Sequence, residues 1–277
     1  MNTLVTHVSV DLDSIASCWL IQKYLPGWQK AHFIFISQGD IVENHPVDAE
    51  KDFIYVDTGM GKFDHHQSAK RLSAAEVVFK YLCEKELIEK KDLPALERMI
   101  EFVTVIDNFN EVYFPEPTAD VYDFTLYQLI DGLKARLKDD LKIVMAVYPF
   151  LEAALLIMKN KIKAENEIDK GLIFTSVWGK TLAIESSNEE LMKLAQKKGV
   201  TCVIRRDPVR KFIRIKTIPT RKYDLTPLYN KLIKIDPKAT WFLHMSKNML
   251  LNGSSTNLKT VPSSLTLQKM IEIVKGM

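Results

Sequence analysis

The chain has 277 residues, of which 47% are hydrophobic and 26% are charged. This balance is typical of a soluble globular protein, and at roughly 100–200 residues per domain the length suggests one large domain or two. The three cysteines form no Cys-x-x-Cys pair, which argues against a disulfide framework and a cysteine zinc site and favours a reducing cytoplasm. No signal-peptide pattern opens the chain, and the apolar stretch 143–158 is too short to span a bilayer, so we expect no membrane contact.

Charge divides the chain into an acidic and a basic part. Residues 1–170 contain 19 Lys and Arg against 28 Asp and Glu, whereas residues 171–277 contain 19 against 7. An acidic part suits bound cations and a basic part suits a polyanion, although two solvated surfaces would give the same counts. We therefore expect a metal-binding domain at 1–125, a helical connection at 126–170 and a basic substrate-binding domain at 171–277.

Strand-like and helix-like segments alternate in the first half. Short apolar runs predict strands and amphipathic runs predict helices. In chain order, we expect a strand at 3–7, a helix at 14–24, strands at 31–36 and 53–56, and helices at 73–84 and 93–102. This order indicates βαβ units, so the predicted fold class is α/β, with a doubly wound, mostly parallel sheet in the N-terminal domain.

The pattern is helical from 123 to 170, with a break expected near Pro149. Beyond it, we expect strands at 172–178, 181–186, 201–205, 211–217, 240–245 and 249–251, and helices at 188–198, 226–235 and 267–274. A tight turn at Gly179-Lys180 would join the first two of these strands. Hairpins mixed with helices predict a smaller α+β domain.

Four short segments carry histidines and aspartates that suit metal ions. They are His7-x-x-x-Asp11-x-Asp13, Asp57, Asp64-His65-His66 and Asp107. Three of them end or follow apolar runs that read as strands, so we expect them past the carboxyl ends of a parallel sheet, where ligands bind. Five aspartates in one pocket would repel, and two cations that share a bridging carboxylate would relieve this. Singly, each has a simpler interpretation: Asp13 as a helix cap, Asp57 as a turn and His7 as a core histidine.

The segments VTHVSVDLDSIAS, YVDTG, FDHHQ and VIDNF resemble the four ordered motifs of the DHH phosphoesterase superfamily. This superfamily includes oligoribonucleases, single-strand exonucleases, cyclic-dinucleotide phosphodiesterases and manganese pyrophosphatases. The resemblance covers about residues 1–125. It implies a hydrolase that acts on phosphoester bonds with two Mn²⁺ ions per chain, with Mg²⁺, Co²⁺ or Zn²⁺ as alternatives.

The resemblance also implies a role for each motif residue. One ion would be bound by His7, Asp11 and Asp57, and the second by Asp13, Asp57, His65 and Asp107. The implied catalytic residues are Asp57 as the bridge, His66 facing the substrate phosphate, and Asp64 orienting a neighbouring histidine. A hydroxide that bridges the two ions would attack phosphorus in line.

A basic segment in the second half is the candidate substrate-binding region. On the predicted strand 211–217, Arg214 and Lys216 share a face with Phe212, which would suit phosphates and a stacked base; a solvated strand would give the same pattern. The glycine-rich GGGH-like signature of nucleotide-cleaving members of the superfamily is absent. Its candidate replacements are His244, Asn252, Gly253 and Ser254, because the amides of a Gly/Ser turn can cradle a phosphate.

The expected function is therefore hydrolysis of phosphodiester bonds in a short single-stranded nucleic acid or a small nucleotide. The enzyme would be cytoplasmic, with a homo-oligomer compatible with the sequence. A pyrophosphatase-like hydrolase of phosphoanhydrides is the alternative enzyme, and Phe212 beside Arg214 favours the diesterase. A non-catalytic nucleotide- or nucleic-acid-binding protein on the same scaffold, or a metal-binding regulatory subunit, is the alternative outside enzymes.

Overall fold

A computed structural model describes residues 1–253 and 259–277 of the protein. The chain divides into two compact units, Met1–Lys159 and Asn160–Met277. Both units combine helices with strands, so the predicted mixed α/β class is confirmed. The division between the units falls inside the segment 126–170 that we expected to connect two domains.

The first unit is built around a parallel sheet. In chain order its elements are β1 (Thr3–His7), α1 (Leu12–Tyr24), β2 (His32–Ile36), β3 (Phe53–Tyr55), α2 (Ala74–Glu84), α3 (Leu93–Asp107), α4 (Leu126–Leu137) and α5 (Asp140–Ile168), which continues into the second unit. The sheet order is β2-β1-β3, and β1 pairs in parallel with both neighbours. The parallel pairing agrees with the βαβ pattern of the sequence, while a doubly wound arrangement stays a prediction.

The start of α1 differs by two residues from the expected start at Ser14. The helix begins at Leu12 because Asp11, not Asp13, is its N-cap, and Asp11 and Ser14 form a reciprocal capping box. Asp13 thereby becomes an inward-facing residue of the first turn and is 3% exposed. The capping interaction turns this carboxylate toward the interior of the unit.

Two helices run farther than the sequence pattern predicted. Helix α3 continues to Asp107, so the expected position of Asp107 past the end of a strand is wrong. Helix α5 passes through Pro149, so the expected break is also wrong. Pro149 lies on the exposed side of α5, where the carbonyl group of Met145 that loses its helical partner can be solvated.

Among the described residues, helix α5 has the length and the apolar composition that a membrane-spanning helix needs. Leu151 and Leu155 on one side are buried in the protein, whereas Leu156 and Ile157 are exposed. Core helices of soluble proteins meet the same criteria of length and composition. The expected lack of membrane contact therefore stays a prediction.

The second unit contains a six-stranded mixed sheet. Its described elements are β4 (Leu172–Ser176), β5 (Gly179–Glu185), α6 (Glu190–Lys197), β6 (Cys202–Arg206), β7 (Ile213–Thr217), α7 (Thr226–Ile235), β8 (Trp241–Leu243), β9 (Met249–Asn252) and α8 (Leu267–Lys275). The sheet order is β4-β5-β6-β7-β9-β8, with β5 and β6 parallel and the other pairs antiparallel. The turn expected at Gly179-Lys180 lies instead at Val177-Trp178, because Ser176 already pairs with Gly179.

The side chains of β7 alternate between the two faces of this sheet, as the period of two of a strand requires. Ile213 and Ile215 are fully buried in one core cluster, together with residues of α7 and α8. Arg214 and Lys216 lie on the opposite face and are partly buried. Phe212 precedes the strand instead of belonging to it.

Candidate metal centre

The loop after β1 carries the first group of candidate ligands. His7 is the last residue of β1, and Ser9 follows with a left-handed backbone (φ 61°). The backbone amides of Ser9 and Val10 donate to the carboxylate of Asp140 at the start of α5, at 3.0 and 3.1 Å. This contact fixes the loop, so that Asp11 at the head of α1 lies beside His7, with Nε2 to Oδ2 at 3.9 Å.

Asp57 occupies the middle of the site. It follows β3 in a left-handed conformation (φ 55°) and is 2% exposed. Its Oδ2 lies 3.3 Å from Nε2 of His7, and its Oδ1 lies 3.4 Å from Nε2 of His65. One carboxylate thus presents each oxygen to a different histidine, which is the geometry that a bridging ligand needs. Non-glycine residues in this backbone region cluster at functional sites, where the surroundings stabilise them.

A second group surrounds His65. Its Nε2 lies 3.5 Å from Oδ2 of Asp107 and 3.7 Å from Oδ2 of Asp13. Asp13 also accepts hydrogen bonds from the amides of Ala74 and Ala75 at the start of α2, at 2.7 and 2.8 Å. Asp13 therefore both holds the position of α2 and faces the candidate ligands.

His66 lies at the solvent side of the site, with a side chain that is 37% exposed. Its Nδ1 donates to Oδ1 of Asp64 at 2.6 Å, and its Nε2 lies 3.1 Å from the amide nitrogen of Gln38. Asp64 is buried and also accepts from the backbone amides of Met60, His65 and His66. Burial would raise the pKa of Asp64, but these bonds hold it below its usual value. Asp64 thus holds the ring of His66 by a hydrogen bond, while the catalytic roles of both residues stay predictions.

Three clusters of donor atoms meet the distance requirement of a metal site. They are Asp57 with His65 and His66; His7 with Asp11 and Asp57; and Asp13 with His65 and Asp107. Within each cluster the donor atoms lie within 4.8 Å of one another. The structure therefore brings together all six residues predicted as metal ligands, which are widely separated in the sequence.

The donor atoms also fit a cation chemically. Oδ1 of Asp57 and Nε2 of His65 are buried and have no hydrogen-bond partner among the described residues, because their 3.4 Å approach lacks the alignment of a hydrogen bond. Buried polar atoms left unpaired are costly, and a bound ion would satisfy both. Nitrogen and oxygen donors without sulfur suit Mn²⁺, and also Zn²⁺ or Mg²⁺.

The pKa values of His7 and Asp57 reflect the excess of carboxylates in the site. Burial alone would lower the pKa of His7, but the hydrogen bond to Asp57 and the charge of Asp11 outweigh it and raise that pKa to about 9. Burial would raise the pKa of Asp57, but the contacts with His65 and His7 outweigh it, so this pKa is lowered. The metal-free site thus attracts protons to its imidazoles.

Two further carboxylates, Asp13 and Asp107, have pKa values that are shifted upward. Burial, followed by repulsion from Asp57 and Asp107, raises the pKa of Asp13. Burial and the charges of Asp57 and Asp11 raise the pKa of Asp107 to about 6, against the attraction of His65. A cation bound among these groups would remove the repulsion that contributes to the shifts.

The second unit contains the predicted substrate-binding residues. Nη1 of Arg214 forms an ion pair with Oε1 of Glu189 at 2.7 Å, and Arg205 lies beside the same carboxylate. Arg205 is 2% exposed and donates to the carbonyl group of Ser186 at 3.0 Å. Burial and the charge of Arg214 lower the pKa of Lys216. This basic face is therefore partly neutralised by its own chain.

The other predicted residues lie around the β8–β9 hairpin. His244 is exposed and its Nδ1 contacts the hydroxyl of Ser246 at 2.9 Å. Asn252 is fully buried; its amide donates to two backbone carbonyl groups and accepts from the amide of Ser263. Gly253 (φ 100°) lies against the ring of Phe212, where a side chain would clash. Ser254 lies outside the described residues, and the substrate contacts of this group stay predictions.

Sequence reasoning missed two residues that shape the centre. Asp140 lies 130 positions after Val10 and accepts a hydrogen bond from its backbone amide. Asp140 belongs to none of the four motifs. Gln38 follows β2 in an ordinary polar loop. Neither position carries a local signal, because each acts through a contact with a residue that is distant in the chain.

The sequence of the first unit matches a known protein family. The family described as ChrB, C-terminal domain, matches residues 4–157. The chain belongs to this family. The match to the ChrB C-terminal domain covers more than half of the chain and contains every candidate ligand from His7 to Asp107. A comparison with curated proteins finds no match.

The resemblance to the DHH phosphoesterase superfamily is thus wrong as a family assignment, because the match is to the ChrB C-terminal domain. The four motifs that carried the resemblance consist of a few aspartates and histidines next to apolar runs. Any site that holds cations with carboxylates and imidazoles at strand and helix ends needs such residues. Short motifs of this kind carry a high risk of false matches.

Proposed function

We propose that the protein is a metal-dependent hydrolase of phosphoester bonds, with two divalent cations, Mn²⁺ by preference, held in the first unit. The observation that carries this proposal is the position of Asp57, whose two oxygens face His7 on one side and His65 on the other. Paired cations about 3.5–4 Å apart are the common means of hydrolysing phosphoesters without a covalent intermediate.

Two of the three donor clusters support the assignment of ligands. His7, Asp11 and Asp57 would hold one cation, and Asp13, His65 and Asp107 the other, with Asp57 added to the second set because its Oδ1 lies 3.4 Å from Nε2 of His65. When bound, the cations would lower the pKa of a coordinated water and stabilise charge on the phosphoryl oxygens. The buried unpaired atoms of Asp57 and His65 support this use of the site over a purely structural one.

The protein's own groups would bind and orient the ester. His66 lies at the exposed edge with its ring fixed by Asp64, and its Nε2, in the protonated imidazolium, would donate to a phosphoryl oxygen in place of its contact with Gln38. Water attacks phosphorus, the ester P–O bond breaks, and the leaving oxygen takes a proton. The products are a phosphomonoester and an alcohol.

The place of the centre in the fold also supports a ligand site. His7 and Asp57 end or follow β1 and β3, which are adjacent parallel strands. Ligands of open parallel sheets bind outside the carboxyl ends of the strands, at the point where the chain order changes direction. Our proposal therefore retains the doubly wound arrangement. The cytoplasmic location and the nucleotide or short nucleic-acid substrate remain parts of the same proposal.

The test combines metal content with turnover. Metal-stripped protein is resupplied with Mn²⁺ and assayed on a short single-stranded RNA, the same DNA, a cyclic dinucleotide, a mononucleotide and pyrophosphate. We expect about two Mn²⁺ per chain, hydrolysis of a phosphodiester, and loss of both in Asp57→Ala, with a rate at least about 10³-fold lower because the bridge holds both cations. Asp40→Asn, at an exposed residue outside the donor clusters, is the control.

Three other outcomes would contradict the proposal. Full metal content in Asp57→Ala would refute the bridging assignment. Turnover of pyrophosphate alone would favour the phosphoanhydride hydrolase, and bound metal without any turnover would favour a binding or regulatory protein.

A further inference from the structure

A cavity of about 360 Å³ opens beside the metal centre, within the first unit. Its lining includes three carboxylates of the donor clusters, Asp11, Asp13 and Asp107. Phe109, Glu111, Tyr127, Gln128 and a further carboxylate, Asp131, also line it. Its volume is in the range of small-molecule sites. A phosphate held at the centre would therefore place the rest of its molecule in this cavity.

The aromatic residue at the mouth of the cavity is presented in an unusual way. Phe109 has a left-handed backbone (φ 56°, ψ 28°), and its side chain is 69% exposed. An exposed phenyl ring loses the gain of burial, and a left-handed backbone costs a non-glycine residue free energy. Both features are explained if a flat, apolar ligand face stacks on the ring of Phe109.

The loop that carries Phe109 is fixed from behind. The side-chain amide of Asn108 donates to the carbonyl groups of Leu72 and Thr104 at 2.8 and 3.0 Å. The amide of Asn110 donates to the carbonyl group of Asn108 at 2.6 Å. The fixed loop begins directly after Asp107 and carries Phe109 two residues beyond it. The aromatic ring is therefore held at a defined distance from the metal centre.

Glu111 adds a polar requirement for the ligand. Its Oε2 is buried and has no hydrogen-bond partner among the described residues. Glu111 lines the cavity, and a carboxylate accepts hydrogen bonds but cannot donate them, so a ligand that brings donors is favoured there. Once the side chain of Glu111 turns toward the ligand, two adjacent N–H donors would engage its carboxylate in one bidentate contact.

Among the nucleobases, guanine fits these requirements. Its ring N–H and its 2-amino group are adjacent donors on one edge, whereas adenine and cytosine place an acceptor nitrogen beside a single amino group. Its flat face can stack on Phe109, and the side-chain amide of Gln128, which lines the same cavity, offers a donor for the guanine carbonyl group. We propose that this cavity binds the guanine base of a nucleotide substrate. The inference rests on the proposed function, because it places the phosphate of that nucleotide at the metal centre.

The test uses nucleosides, which carry no phosphate and so report on the cavity without the metal centre. Binding of guanosine, inosine and adenosine to the full chain is measured by ligand-observed NMR. Guanosine should bind at least about tenfold more tightly than adenosine, because adenosine offers one donor and places an acceptor nitrogen against the carboxylate where guanosine offers a second donor. Inosine, which lacks the 2-amino group, should lie between them.

Two pairs of variants make the test specific. Glu111→Gln should abolish the preference for guanosine over adenosine, whereas Glu116→Gln, at an exposed glutamate outside the cavity, should keep it. Phe109→Ala should weaken both nucleosides by at least about fivefold through lost stacking. Phe124→Ala, at a phenylalanine that is 82% exposed, is the matched control.

Failure of this inference can be told apart from failure of the proposed function. Equal affinity for guanosine and adenosine, or an unchanged preference in Glu111→Gln, would overturn the guanine assignment. Mn²⁺-dependent hydrolysis of bis(4-nitrophenyl) phosphate, which has no base, tests the metal centre separately. A guanosine preference without any hydrolysis would keep the cavity assignment and remove the reaction.

Discussion

Both units bury charged side chains, but the partners of these charges differ. In the first unit, Oδ1 of Asp57 and Nε2 of His65 face each other without a hydrogen-bond partner among the described residues. In the second, Arg205 donates to a backbone carbonyl group and Arg214 is paired with Glu189, while Nε of each arginine is buried without a partner among the described residues. The first cluster combines carboxylates with imidazoles that would share a cation, whereas the second supplies part of its own counter-charge through Glu189. Net charge alone therefore does not distinguish a binding site from a structural ion pair.

The largest effect on stability that we expect concerns the buried cation of the second unit. Arg205→Ala should lower the free energy of unfolding by about 3 kcal/mol, because it removes packing and the hydrogen bond to Ser186. Urea denaturation of the full chain measures this. Arg205→Met, which keeps much of the volume, should cost less, and Arg210→Ala at an exposed position should cost under about 0.5 kcal/mol.

The opposite result would break the comparison between the units. If Arg205→Met stabilised the protein, the guanidinium of Arg205 would be a strained group kept for a ligand. The second unit would then resemble the metal centre.

The carboxylates of the metal centre should lower the stability of the protein when no metal is bound. Asp107 has a pKa raised to about 6, from an ordinary 3.8. The folded state therefore holds this proton more tightly than the unfolded state, and the resulting stability is complete below about pH 4 and lost as the pH rises through 6. At pH 7, Asp107→Asn should stabilise the metal-free protein by about 1 kcal/mol, a figure reduced for solvent screening.

The measurement is urea denaturation of metal-free protein at pH 4 and pH 7. The gain from Asp107→Asn should be confined to pH 7, and Asp131→Asn, at an exposed aspartate paired with Lys134, should give none. With Mn²⁺ present, the sign should reverse, since the variant loses a ligand. Destabilisation of the metal-free protein by Asp107→Asn at pH 7 would show that this carboxylate serves the fold.

The partly neutralised basic face should affect turnover of one substrate class and not the stability of the fold. Combined reversal at Arg214 and Lys216 should weaken hydrolysis of a short single-stranded RNA by about tenfold, which corresponds to about 1.4 kcal/mol. Hydrolysis of bis(4-nitrophenyl) phosphate should fall much less. Reversal at Lys234 and Lys238 changes the net charge equally at exposed positions and serves as the control. Equal losses on both substrates would mean that Arg214 and Lys216 do not contact the nucleic-acid chain.

Local patterns of the sequence predicted most of the elements. Alternating and helical periodicities located β1, β2 and α7 to within a residue, because burial of one face demands these periods. They failed on the extent of two helices. Helix α5 continues past Pro149 on its exposed side, and α3 extends to Asp107.

The identities of the candidate ligands were readable from the sequence, but their family was not. Aspartates and histidines beside apolar runs indicated a metal site, and all six predicted ligands meet in the donor clusters. The same residues suggested a family that the match to the ChrB C-terminal domain contradicts. A few ligand residues record the chemistry of a site, whereas family membership depends on the whole domain.

The sequence by itself determined which residue types are available and beside which apolar runs they lie. The tertiary structure alone decided that the two oxygens of Asp57 face different histidines, that Asp140 holds the loop of the first ligands, and that Glu111 keeps a buried unpaired oxygen. The physical reason is that hydrogen bonds and charges act over a few ångströms in space. Positions far apart in the chain reach such distances only when the whole unit packs.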